Sequence, residues 1–86
     1  EVTNTFSPNG DGKNDYLVIE DIENFPNNEI VIYNRWGNEV YRESGYYNTW
    51  DGTRKGDKAL PTGTYFYVLI LENGLPPQNG YIYLTR

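Results

Sequence analysis

The segment Ser7 to Asp15, SPNGDGKND, gathers the oxygen-bearing side chains of Asn9, Asp11, Asn14 and Asp15 around Gly10 and Gly12. Such a set can chelate a hard cation, share a proton between carboxylates, or fold back on itself as a turn. Placing Gly12 at the turn glycine of a helix-loop-helix calcium loop puts Ser7, Asn9 and Asp11 at the first three ligand positions. Asp15 then falls at the position often filled through water. The bidentate Glu that should close the loop is Val18, the leading Asp is Ser7, and no amphipathic helices flank the segment, so it is not that motif. Two readings stay open. One is a less regular calcium cage from Asn9, Asp11 and Asp15, assisted by Asp51. The other is a metal-free loop in which Asn and Asp side chains bond to backbone amides. No cofactor is required, and calcium is the one candidate.

Catalysis finds little support. A glycosidase needs two carboxylates across a bound sugar, and nothing around Asp11 and Asp15 supplies a cleft. His and Cys are absent, which removes the usual triads and the commonest zinc sites and leaves Ser7 and Ser44 without an imidazole base. The glycines lack the spacing and the Gly-Lys-Ser/Thr ending of a phosphate loop. The chain is therefore not expected to be an enzyme.

A second cluster lies in NTWDGTRKGDKALPTG. Asp51 and Gly52 form a favourable turn pair, with Trp50 placed to anchor that turn to the edge of a core. Arg54, Lys55 and Lys58 make a local positive patch that a partner can use for docking or that water simply solvates. Arg35 and Trp36 sit in NRWGNE between two apolar runs, where Trp36 is expected to cap one end of a thin core; the alternative is an exposed contact.

The elements that position these residues read as strands. Val2 to Phe6, Tyr16 to Glu20, Glu29 to Tyr33, Glu39 to Arg42, Thr64 to Glu72 and Tyr81 to Thr85 are rich in Val, Ile, Tyr, Phe and Thr, with a weaker run at Asn48 to Trp50. Gly, Pro, Asn and Asp separate them. The fold class is all-β, a small immunoglobulin-like sandwich of about seven strands. NRWGNE makes a hairpin of the third and fourth runs. The longest run divides into Tyr65, Tyr67, Leu69 and Leu71 on one face and Phe66, Val68 and Ile70 on the other. Both faces are apolar, so the pattern alone leaves open which is inner, and the second suits a neighbouring domain or a receptor.

Length sets the scale of that core. With 86 residues there is material for one domain, which buries only about 60 to 65% of its unfolded surface. Nine Tyr, two Trp and three Phe compensate for the missing disulfides. Twelve acids against seven bases give a charge of -5, which argues against nucleic acid as partner. No apolar run approaches the roughly 20 residues of a membrane-spanning helix, so direct membrane insertion is not expected. Lacking Met and any signal segment, the chain is expected to be a module cut from a longer polypeptide.

FSPNGDGKND, NNEIVIYNRWGNEVYRE, YYNTWDGT, LPTGTYFYVLIL and GYIYLTR, in that order, closely resemble the gliding-motility-associated C-terminal domain of Bacteroidota proteins, the type B sorting domain of the type IX secretion system. The resemblance covers residues 3 to 86. It implies a non-catalytic immunoglobulin-like domain, residues 1 to 86, at the C-terminus of an exported protein, often a cell-surface adhesin or a secreted enzyme. The cargo would precede it in the same chain. It would pass through the periplasm and the outer-membrane translocon to the surface or exterior, with a PorP/SprF-like outer-membrane protein as partner. In the signature loop Ser7, Pro8, Asn9, Gly10, Asp11, Gly12, Asn14 and Asp15 match the family, as do Tyr33 to Gly37 and Trp50 to Gly52 further along. Candidate recognition residues are Arg35, Trp36, Trp50, Asp51, Arg54 and Lys55. The competing reading is a calcium-stabilised adhesive or carbohydrate-binding sandwich.

Overall fold

The computed structural model describes residues 5–7, 16–54, 58–72 and 74–85. Seven strands follow in chain order: β1 (Thr5–Phe6), β2 (Glu29–Tyr33), β3 (Glu39–Ser44), β4 (Thr53–Arg54), β5 (Lys58–Ala59), β6 (Gly63–Ile70) and β7 (Gln78–Leu84). A 3-10 turn at Ile22–Asn24 precedes β2. The main sheet has the order β1-β7-β6-β2-β3, antiparallel throughout except that β1 runs parallel to β7. β4 and β5 form a separate antiparallel pair. The protein is all-β, as its turn-separated aromatic and β-branched runs require.

Strand alternation now assigns the two faces of the sheet. Ile30 and Ile32 of β2, Tyr65 and Leu69 of β6, and Ile82 and Leu84 of β7 are buried in one continuous core. Phe66 and Val68 therefore face outward. Val31 is also buried yet lies outside that cluster, on the outer face between Val68 and Arg42. In β3 the pairs Ile32–Tyr41 and Tyr33–Glu39 leave Val40 as an extra residue, a bulge. It lets consecutive residues serve the core: Val40 is buried in it and Tyr41 packs against it.

The second layer covers the inner face with fewer regular strands than the sequence suggests. Tyr16 to Glu20 alternates as a strand should, with Leu17 and Ile19 buried and Tyr16 and Val18 exposed. It pairs with the weaker run at Asn48 to Trp50, since Leu17 N–H donates to the Trp50 carbonyl at 2.9 Å. A ladder does not form because Asn48 takes the left-handed conformation, with φ 63°. Its side chain substitutes for a backbone partner, Oδ1 accepting the Ile19 N–H at 2.8 Å. β4 and β5 complete this layer; two-residue strands carry too little pattern to be read in advance. Burying Trp50, Tyr46 and the Leu and Ile side chains of the core contributes about 1.5–3 kcal/mol each, offset by conformational entropy. Of the first run, Val2 to Phe6, only Thr5–Phe6 lies within the described residues.

Candidate functional site

The β2–β3 turn is built by one side chain. Asn34 Oδ1 accepts both the Trp36 and the Asn38 backbone N–H at 3.0 Å. Asn34 N–H donates to the Asn38 carbonyl at 2.9 Å, and Gly37 N–H to the Asn34 carbonyl at 3.0 Å. Gly37 has φ 83°, a conformation that costs a residue with a Cβ about 1 kcal/mol or more. The turn is thereby fixed without help from whatever its outer side chains touch. Those side chains are Arg35 and Trp36.

Trp36 does not cap the core, contrary to the expectation from its position: it is 71% exposed. Tyr65 occupies that end of the core instead, buried and with its hydroxyl donating to the Pro61 carbonyl at 2.6 Å. The Arg35 guanidinium lies over the Trp36 ring, 4.3 Å from its centroid, an attraction of about 0.5–1 kcal/mol at an exposed site. No ion pair involves Arg35 among the described residues. A groove of about 160 Å³ runs beside this stack, lined by Asn34, Arg35, Trp36 and residues Pro61 to Tyr65. Small-molecule sites are roughly 300–1,000 Å³. The groove suits one side chain of a partner better than a substrate, and Arg35 is the charged group among its described lining residues.

Trp50 and Asp51 do different work from that expected of contact residues. Trp50 is 1% exposed, stacks at a tilt against Tyr41 with centroids 5.5 Å apart, and its Nε1–H donates to the Thr53 carbonyl at 2.7 Å. Its place is in the core, and it offers no surface to a partner. Asp51 Oδ1 accepts the Thr53 hydroxyl at 2.8 Å, and Gly52, with φ 82°, turns the chain so that its carbonyl accepts the Leu60 N–H at 2.9 Å. Arg54 is exposed on β4 and lines a hollow beside β3 with Glu39, Arg42 and Glu43, away from the groove. Lys55 lies outside the described residues, as do Asn9, Asp11 and Asp15. Among the described residues no group of three His, Cys, Asp or Glu could hold a metal ion.

The polar framework at the other end of the β2–β3 hairpin, beyond Glu29 and Ser44, was not read from the sequence. Asn28 is buried and bonds through its carboxamide to Phe25 and Tyr46. The Tyr46 hydroxyl donates to the Leu17 carbonyl at 2.6 Å and accepts the Trp50 N–H at 3.0 Å. Burial pushes the Tyr46 phenol well above its ordinary range, with its accepted backbone hydrogen bond opposing the shift. Burial and the hydrogen bond to Glu43, 2.6 Å long, raise Tyr41 likewise. An Asn in NFPNNE resembles any other turn residue, so only its neighbours in space reveal it.

Comparison with known families adds one match of wide span. The CHU_C type IX secretion signal domain matches residues 1–84, which takes in the loop at Ser7 to Asp15, the Arg35–Trp36 turn and the Trp50–Gly52 turn. No curated protein matches the chain. The matched domain is a signal for type IX secretion, not a catalytic family. It acts as a C-terminal sorting signal that engages the type IX machinery, so that the protein bearing it is exported to the cell surface or exterior. This small sandwich, with a rigid turn exposed at one end and matched by that family over nearly its whole length, belongs to the type IX secretion signal domains.

Proposed function

We propose that residues 1 to 86 are a folded, non-catalytic address label for cargo that precedes them in the same polypeptide. In this reading the cargo reaches the periplasm by ordinary inner-membrane export and then crosses the outer membrane through the type IX translocon. A PorP/SprF-like outer-membrane protein reads the folded domain. The observation that carries the proposal is the Arg35–Trp36 stack, exposed on a turn that Asn34 fixes. A receptor gains most from a feature already held in its bound shape, because little ordering entropy remains to be lost. Exposed Trp and Arg are also the side chains most enriched among dominant contacts.

The test is a fusion of residues 1 to 86 to the C-terminus of a neutral exported cargo. The cargo is expected outside a cell that has the type IX system and inside the periplasm of a cell lacking the translocon. Retention in both would sink the proposal. The label works without a cofactor in this reading. A melting temperature that rises with added calcium and falls with a chelator would instead favour a bound ion, with Asn9, Asp11 and Asp15 as its candidate ligands.

A further inference from the structure

The outer face of the main sheet is apolar and aromatic, and no described element packs across it. In register across three strands stand Tyr33, Phe66 and Tyr81, flanked by the row Val31, Val68 and Asn79 and by the pair Thr64 and Tyr83. Phe66, Tyr81 and Tyr83 are 45%, 55% and 43% exposed. Single exposed apolar residues need no explanation, but three aromatics on adjacent strands form a patch. Neither β6 nor β7 contains a charged residue, in a chain of which 22% is charged. Depletion of charge together with enrichment in Tyr and Phe is the composition of an interface core.

The rim is charged, and unevenly compensated. Arg42, at the β3 border of this face, is held by Glu29 at 2.9 Å and Glu39 at 3.0 Å. Arg35 has no such carboxylate among the described residues, and its guanidinium lies over the Trp36 ring. Its groove reaches this face through Thr64, which lines the groove and pairs with Tyr83. The tip and the sheet face thus form one continuous surface, neutral and aromatic, with an available guanidinium at one end.

We infer that this surface is where a protein of the secretion machinery docks, presenting an apolar patch bordered by a carboxylate that meets Arg35. The inference rests on the sorting-signal reading and deepens it by naming the face. Size argues against a standing dimer. Three strands about 4.8 Å apart and three rows about 6.8 Å apart outline roughly 300 Å². A second copy packed on it would bury roughly twice that, short of the about 1,000 Å² expected of a specific interface and far from a standing dimer. A weak, polarised contact suits a label that must be bound and then released, and a carboxylate on Arg35 supplies its orientation through a paired hydrogen bond.

The fusion described above tests this with Phe66→Lys combined with Tyr81→Lys, and separately with Arg35→Glu, which disturbs no buried group. Both are expected to lower the exported fraction about tenfold, in the range of lost interface anchors. Tyr47→Lys, 60% exposed on the opposite layer, is expected to export normally, and all variants should keep the wild-type melting temperature within a few degrees. A photoreactive residue at position 81 should crosslink to an envelope protein only when the translocon is present. Failure of the unaltered fusion to be exported overturns the sorting-signal reading itself. Normal export of folded Phe66→Lys/Tyr81→Lys and Arg35→Glu overturns the docking face alone. Crosslinks from position 81 to the cargo, or to a second copy, assign the face to a different occupant and overturn the inference too.

Discussion

The Asn28 carboxamide pairs with the backbone of Tyr46 as a neighbouring strand would: Oδ1 accepts the Tyr46 N–H at 2.9 Å, and Nδ2 donates to the Tyr46 carbonyl at 3.1 Å. The Asn28 carbonyl meanwhile accepts the Gly45 N–H at 2.7 Å. This one residue satisfies buried backbone at the point where the chain leaves β3 and enters the irregular layer. A regular ladder would have done the same with several residues. The short second layer is tolerated because Asn28, Tyr46 and Asn48 supply by side chain what strands supply by main chain.

Asn28→Ala should therefore cost far more than the loss of a small polar side chain. It leaves the Tyr46 N–H and carbonyl buried without partners, at about 1–3 kcal/mol for each unsatisfied group. Urea unfolding of the two proteins measures the difference. A loss under about 1 kcal/mol would mean that water or a backbone shift replaces the carboxamide.

Alkaline pH should weaken the fold through two of its tyrosines. The Tyr46 and Tyr41 phenols have raised pKa values in the folded state, chiefly through burial. The unfolded chain then releases those protons first, near the ordinary Tyr value of about 10. Their contribution is complete below that pH and declines as pH rises through the higher folded values. Unfolding free energy followed from pH 8 upward should be flat and then fall above about pH 10. Tyr46→Phe should be less stable at neutral pH, because the Leu17 carbonyl and Trp50 N–H lose their shared partner, and should show a shallower alkaline decline. An unaltered alkaline slope in that variant would contradict the assignment to Tyr46.

Gly80 and Tyr67 are opposite each other on β7 and β6, and a Cβ at position 80 would crowd the tyrosine, with Oη 2.9 Å and Cε2 3.0 Å away. Gly80→Ala should destabilise by about 1–3 kcal/mol through overpacking. The cost should shrink in a Tyr67→Leu background, which removes the obstructing ring. A double-mutant cycle without coupling would show that the ring moves aside freely.

Much of the sheet was legible because its strands are long enough to show a period. Glu29 to Tyr33 has the same bounds in sequence and structure, and β6 and β7 differ from expectation only at their ends. β7 begins earlier, at Gln78, because the hairpin pairs it with Leu69 across a polar, pattern-poor start. Tyr16 to Glu20 shows that alternation reports burial more faithfully than hydrogen bonding: Leu17 and Ile19 face inward although no ladder forms. At the candidate site, sequence singled out Arg35 and Trp36 but misjudged how Trp36 is used. Composition assigns a Trp to a small core by its size, and only the Asn34-fixed turn and the placement of Tyr65 turn it outward. Asn9, Asp11 and Asp15 lie outside the described residues.

The two tryptophans should separate folding from recognition. Trp50→Ala removes a fully buried ring and its hydrogen bond to Thr53, a change that costs about 3–5 kcal/mol, a large share of the roughly 5–15 kcal/mol that holds a domain together. Export should then fail together with the fold, visible as a large drop in melting temperature. Trp36→Ala removes an exposed ring whose contact on this chain is Arg35, and stability should change by no more than about 1 kcal/mol. Export should nonetheless decline, since the turn loses its exposed aromatic contact while its backbone and the sheet beneath it stay intact. Equal losses of melting temperature in the two variants would contradict the exposed placement of Trp36. Unchanged melting with undiminished export in Trp36→Ala would remove the tip from recognition and leave the sheet face to act alone.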